Sequence, residues 1–165
     1  MPTHSPKAVL PSDELKRYEA HQGEISLHMS HFLLDYLRDV YSAFEGDLAL
    51  VIVLGEIAHH NLSTHFSKAE GLNPALEKRL EGGDAARHRL PSCNAYSLAQ
   101  ATGMPRETIR RKIARLKELG LIEQANRREV HITPKVAEVF QSDFNVKLMT
   151  NLLHTAERIR GVLDS

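Results

Sequence analysis

The chain has 165 residues, 42% of them apolar and 25% charged, enough for one ordinary domain or a small domain with a helical appendage, and this excludes wholesale disorder. A single cysteine, Cys93, excludes a disulfide scaffold and a cysteine-built zinc finger, and the longest apolar run, Leu48 to Leu54, falls well short of a membrane span of roughly 18 residues. Net charge is zero, yet the ten basic and three acidic residues from Arg87 to Arg128 give that window +7 and leave −7 on the rest, so a basic working surface on an acidic body is expected.

The opening stretch from Met1 to Pro6 has no charged region followed by an apolar core. No signal peptide is read, and a soluble cytoplasmic protein is expected. Pro2, Pro6 and Pro11 make residues 1–12 a loose arm. Ser12-Asp13-Glu14 is a candidate cap for a short helix over 13–22 that ends near Gly23, so 1–23 forms a first segment. From Glu24 onward Ile25, Met29, Phe32, Leu33, Tyr36, Leu37, Val40 and Phe44 recur at spacings of three and four, the stripe of an amphipathic helix. Glu45-Gly46-Asp47 interrupts, and Asp47 is a candidate N-cap for a second helix over about 48–66. Its start is apolar nearly all round, the mark of a helix that is buried or pairs with a partner. A buried strand is the alternative for this Val- and Ile-rich run, but Gly55 to Leu62 continues without a turn signal. Residues 24–66 are therefore predicted to be an N-terminal helical dimerisation part. Gly71, Asn73-Pro74, Gly82-Gly83, Pro91 and Ser92 then mark 67–94 as a linker with one short helix at 74–80.

Residues 95–133 carry the chemistry. Tyr96 to Thr102 predicts a short helix capped by Asn94 or Ser97, and Gly103 stands where the chain needs a left-handed residue to turn. Pro105 suits the first turn of the next helix, 105–119, whose inward face is Ile109, Ile113, Leu116 and Leu119, with Gly120 ending it. Two helices joined by a short glycine turn form a helix-turn-helix, with Ala99 at the close crossing. The second helix would turn Arg106, Glu107, Arg110, Arg111 and Arg115 outward, with its N-terminal half able to enter a major groove. Leu121 to Gln124 and Glu129 to Pro134 flank a polar tip with Arg127 and Arg128, the pattern of a β-hairpin over 121–132.

The run Ser97-Leu98-Ala99, Gly103, Arg106 to Arg111, Leu116, Leu119 to Ile122, Arg127-Arg128 and Ile132 to Lys135 resembles the winged helix-turn-helix of bacterial transcription regulators. It is most similar to the MarR-type families, and GntR-like and Crp-like regulators share the local pattern. The resemblance covers about 40 of the 165 residues. It implies a mainly α fold: a three-helix core plus β-hairpin wing, with flanking dimerisation helices. It also implies a homodimer on double-stranded DNA, at a palindromic operator, and leaves room for a small-molecule effector. The DNA-contacting set is then Ser97, Arg106, Glu107, Thr108, Arg110, Arg111 and Arg115, with Arg127 and Arg128 on the wing. After the wing, Thr133 and Pro134 suit a helix start, and an apolar stripe from Val136 to Leu163 predicts a C-terminal dimerisation helix over 134–165, with Asp143 and Asn145 as a break point.

Other constellations are weaker. His28, His31, His59, His60 and His65, with Glu24, Asp35 and Glu56, offer metal-ligand spacings but no HExxH motif, so helix-surface histidines and no metal are expected. A redox role for Cys93 needs a lowered pKa; a small residue in a loop is the plainer expectation. No phosphate-binding glycine loop and no nucleophile elbow is present, so neither enzyme activity nor a cofactor is expected. Two rivals stand beside transcriptional regulation: a winged-helix protein-interaction module, and DNA binding for plasmid partition or replication control.

Overall fold

The computed structural model describes residues 10–62, 66–67, 71–72, 92–126, 129–140 and 143–165. In chain order these form α1 (Ser12–Ala20), α2 (Gln22–Ala43), α3 (Leu48–Leu62), β1 (Phe66–Ser67), β2 (Gly71–Leu72), α4 (Ala95–Thr102), α5 (Arg106–Glu118), β3 (Ile122–Asn126), β4 (Glu129–Ile132), α6 (Lys135–Phe140) and α7 (Asp143–Leu163). The described chain is mainly helical, and its strands form two antiparallel pairs, β1 with β2 and β3 with β4. No helix among the described residues is long and apolar enough to cross a membrane. The chain divides into two compact units: Met1–Asp39 with Phe144–Ser165, and Val40–Asp143.

The first unit holds α1, most of α2 and most of α7. Ser12-Asp13-Glu14 does not cap α1; the N-cap is Pro11, and no side chain bonds there. Gly23 does not end a helix either. It lies in the first turn of α2, where glycine costs about 1 kcal/mol at most, and the break falls at His21, whose N–H bonds back to Arg17 and Tyr18. The α2 stripe is unevenly covered: Ile25 is buried and Phe32 and Tyr36 are half-buried, but Met29, Leu33 and Leu37 are exposed. Tyr36 meets Phe144 with ring centroids 6.2 Å apart. Lys147 pairs with Asp39 at 2.7 Å, and Arg17 reaches the Leu163 carbonyl at 3.3 Å and Asp164 at 3.6 Å. No residue of α7 is buried, and Val146, Met149, Leu152 and Leu153 are each more than half exposed.

The second unit is built on α3. Asp47 caps it as expected, its Oδ1 accepting the Leu50 N–H at 3.0 Å. The helix stops at Leu62, four residues before the predicted 66, and Phe66 instead pairs with Leu72 in the β1–β2 ladder. The predicted helix at 74–80 lies outside the described residues. Leu50, Val53, Leu54 and Ile57 of α3 share one cluster with Leu98 of α4, Ile109, Ile113 and Leu116 of α5, and Val130 and Ile132 of β4. The helix predicted to end a dimerisation part at 24–66 packs instead on α4, α5 and β4, with Leu50, Val53 and Leu54 of its apolar start buried and Ile52 left 49% exposed. The unit boundaries fall at 39/40 and 143/144 rather than in the linker 67–94 and at 134.

Asn94 caps α4 in a capping box with Ser97, so both predicted candidates take part. Gly103 ends the helix at φ +70°, a left-handed conformation with almost no penalty for a residue lacking Cβ. Pro105 is the N-cap of α5 and stands just outside it, so the predicted 105–119 agrees to one residue at each end. β3 and β4 pair with Ile122 opposite Ile132, and the register shifts between Gln124 and Asn126 toward the turn. Cys93, just ahead of α4, adds a one-residue bridge to Val130. Thr133 does not cap the following helix: its hydroxyl donates to the Gly120 carbonyl at 2.6 Å. The helical stretch predicted over 134–165 is two helices, α6 and α7, the second starting at Asp143, one of the two expected break residues.

Candidate nucleic-acid interface

The buried edge of α5 is Ile109, Ile113 and Leu116, which fixes where every other side chain of that helix points. At about 100° per residue, Arg106, Arg110 and Lys117 fall within about 40° of one another on one flank. Arg111 stands near the crest with Glu107 and Glu118, and Lys112 and Arg115 lie on the opposite flank. The hydrogen bonds agree with this wheel. On the far flank Lys112, 17% exposed, donates to Asp47 at 2.5 Å, and Arg115 pairs with Glu45 at 3.7 Å and Glu118 at 3.2 Å. Burial alone would raise the Asp47 carboxyl, but its bonds to Lys112 and to the Leu50 N–H outweigh that and hold it below the ordinary 3.8.

The near flank has no counterpart of the part-buried Lys112–Asp47 pair among the described residues. Arg110 makes one solvent-exposed pair with Glu107 at 3.6 Å, of the kind that exchanges readily. The Arg106 guanidinium lies 4.5 Å from the centroid of the Tyr96 ring. Arg111 and Lys117 are exposed and have no carboxylate within ion-pair reach among the described residues. Arg110 and Lys117 also line, with Ala95, Ile113, Ala114 and Gln124, a groove of about 610 Å³ between the start of α4, α5 and β3.

The structure therefore brings Arg106, Glu107, Arg110 and Arg111 onto one solvent face and sets three expected residues apart. Arg115 lies on the other flank, in exposed pairs with Glu45 and Glu118. Ser97 is half-buried, and its Oγ accepts the Asn94 N–H at 3.1 Å and donates to the Asn94 carbonyl at 2.9 Å. Thr108 is half-buried as well. Arg127 and Arg128 lie outside the described residues. Tyr96, Lys117 and Gln124 belong to this face and were not among the expected residues. Lys117, seven residues after Arg110, was within reach of the helical period; Tyr96 and Gln124 lie on other elements and gave no periodic signal.

Burial pushes the Cys93 thiol up to about 11, the opposite of what a redox-sensing cysteine requires. His28 pairs with Glu24 at 3.9 Å and His31 with Asp35 at 3.5 Å, each across one helical turn, and His60 bonds the Ser92 carbonyl at 2.9 Å. No group of three metal-ligating side chains occurs among the described residues, and His65 lies outside them. A second concavity of about 330 Å³ lies on an apolar floor of Phe44, Leu50, Leu121 and Val139, with Arg115 and Lys135 in its wall. No protein-family model matches the chain, and no curated protein and no solved structure is significantly similar to it.

Proposed function

We propose that the chain is a homodimeric, sequence-specific DNA-binding transcriptional regulator of the winged helix-turn-helix type. The observation that carries this reading is the near flank and crest of α5. Arg106, Arg110, Arg111 and Lys117 stand exposed on a helix that follows a tight glycine turn and precedes a hairpin. A helix presented in this way fits a major groove roughly 12 Å wide, with arginines at its N-terminal end near base edges. The order α3, α4, turn, α5, β3, β4 supports reading these elements as a three-helix core with a wing. The tip arginines, Arg127 and Arg128, would meet the phosphate backbone or the minor groove.

The exposed apolar side chains of α2 and α7 support the homodimer, and a two-fold pair would present two recognition helices to a palindromic site. If an effector is bound, the 330 Å³ concavity beside Arg115 has the size for one.

The test is a fluorescence-anisotropy titration of the full chain against duplex DNA at several salt concentrations. Each neutralised phosphate adds close to one unit to the slope of log affinity against log salt. A dimer with several contacts per subunit should lose on the order of 10³-fold between about 50 and 200 mM salt. Binding with little salt dependence, or no binding, would refute the assignment.

A further inference from the structure

We propose that Tyr96 is a positioning residue for base reading, its ring holding the Arg106 guanidinium in the pose from which it reads a guanine in the major groove. The inference rests on the DNA-binding reading above.

Tyr96 sits in the first turn of α4 and is 53% exposed, so the hydrophobic core does not account for it. Three exposed side chains converge there. The Arg106 guanidinium stacks 4.5 Å from the ring centroid, and Gln100 Nε2 donates to the Tyr96 hydroxyl at 2.9 Å, which fixes the ring on α4. A stacked guanidinium uses its flat face and leaves its N–H edge free. That edge is what a guanine recognises, since O6 and N7 accept a bidentate pair from arginine. Among the described residues no carboxylate pairs with Arg106, whereas Arg110 has one and Arg115 two. Arg106 is also the first residue of α5, and N-terminal residues of a recognition helix are the ones that reach bases. The ring therefore removes rotamer freedom from a long side chain before DNA arrives and does so without competing for its donors.

Binding-site selection with the full chain tests this, using wild type, Tyr96→Phe, Tyr96→Leu and Arg106→Ala. Wild type and Tyr96→Phe should select a guanine at one position of each half-site. Tyr96→Leu should weaken that preference by about two- to fivefold, the worth of an exposed cation–π contact, and leave the salt slope unchanged. Arg106→Ala should erase the preference at the same position. An unchanged selection by Tyr96→Leu overturns the proposal, as does a uniform loss of affinity with a shallower salt slope, which would make Arg106 a phosphate ligand. In the free protein the Arg106 Nε–H resonance should carry a ring-current shift in wild type and Tyr96→Phe that Tyr96→Leu lacks; its absence in wild type also overturns it. Wild type selecting no sequence would defeat the DNA-binding reading itself, whereas a wild-type preference indifferent to Tyr96 defeats the positioning role alone.

Discussion

Asn61 on α3 and Ile132 on β4 are joined by a hydrogen bond out of reach of water: the Ile132 N–H donates to Asn61 Oδ1 at 2.9 Å. The other end of the same side chain, Nδ2, donates to the Val130 carbonyl at 3.2 Å, and Asn61 itself is 0% exposed. The amide thus supplies the donor and acceptor that a neighbouring strand would give β4. Asn61→Leu keeps the branched shape, removes the acceptor of the buried Ile132 N–H and leaves the Val130 carbonyl with only the Cys93 thiol at 3.9 Å, so it should cost about 1–3 kcal/mol in urea unfolding. A loss below about 1 kcal/mol would mean that water or the backbone satisfies those groups without Asn61.

How legible this arrangement is in the sequence depends on which residues carry it. The face of α5 is legible because Ile109, Ile113 and Leu116 keep the helical period between two turn glycines, and Asp47 announces the start of α3. Asn61 is not legible. A polar residue near a helix end reads as solvent-facing, and only the fold brings β4 to it. The fate of α3 is hidden for a related reason: an all-round apolar start says that the helix is covered, not by what. Arg115 is misplaced by the same blindness to distance, since Glu45 meets it only after the α2–α3 turn packs beside α5. Thr133 has the composition of a cap, but the Gly120 carbonyl is nearer to its hydroxyl than the next helix.

The two flanks of α5 should respond differently to mutation. Arg111 is exposed and makes no ion pair among the described residues, its charge acting on Asp47 only at longer range, whereas Arg115 is shared between Glu45 and Glu118. Arg111→Ala should lower DNA affinity and reduce the salt slope by about one per subunit. Arg115→Ala should change both far less, and Glu45→Gln should leave both nearly unchanged, since Glu118 still pairs with Arg115. Anisotropy titrations on the three variants decide the matter, and equal losses for Arg111→Ala and Arg115→Ala would contradict the partition of the helix.

Cys93 gives a prediction with a definite sign. Burial raises its thiol from 9.0 to about 11, so between those values the unfolded chain releases the proton while the folded chain keeps it. The stabilisation is complete below the unfolded value and is lost as pH rises, by at most about 1.4 kcal/mol per pH unit. The difference in unfolding free energy between wild type and Cys93→Ala should therefore be flat up to about pH 8.5 and shrink toward pH 10. Parallel pH profiles for the two proteins would place the thiol in contact with water. The same burial should protect Cys93 from iodoacetamide until the protein unfolds.

The apolar side chains of the first unit make the last prediction. Leu37 is 42% exposed on α2 and Leu153 is 55% exposed on α7. Leu27, Leu34, Met149 and Leu152 are more than 45% exposed on the same two helices. Soluble monomers seldom tolerate a contiguous apolar patch beyond a few hundred Å². A second copy of the chain would cover these side chains through a two-fold interface and would set the spacing of the two α5 helices on DNA. Leu37→Glu and Leu153→Glu place a charge in that interface and leave the core of the second unit untouched. Each should convert a dimer to a monomer in light scattering and weaken DNA binding in parallel, while the monomer keeps its helical circular dichroism. Wild type that scatters as a monomer at micromolar concentration would remove both the interface and the palindromic site, and the assignment of α5 as the DNA-reading helix would then stand or fall on the arginine variants alone.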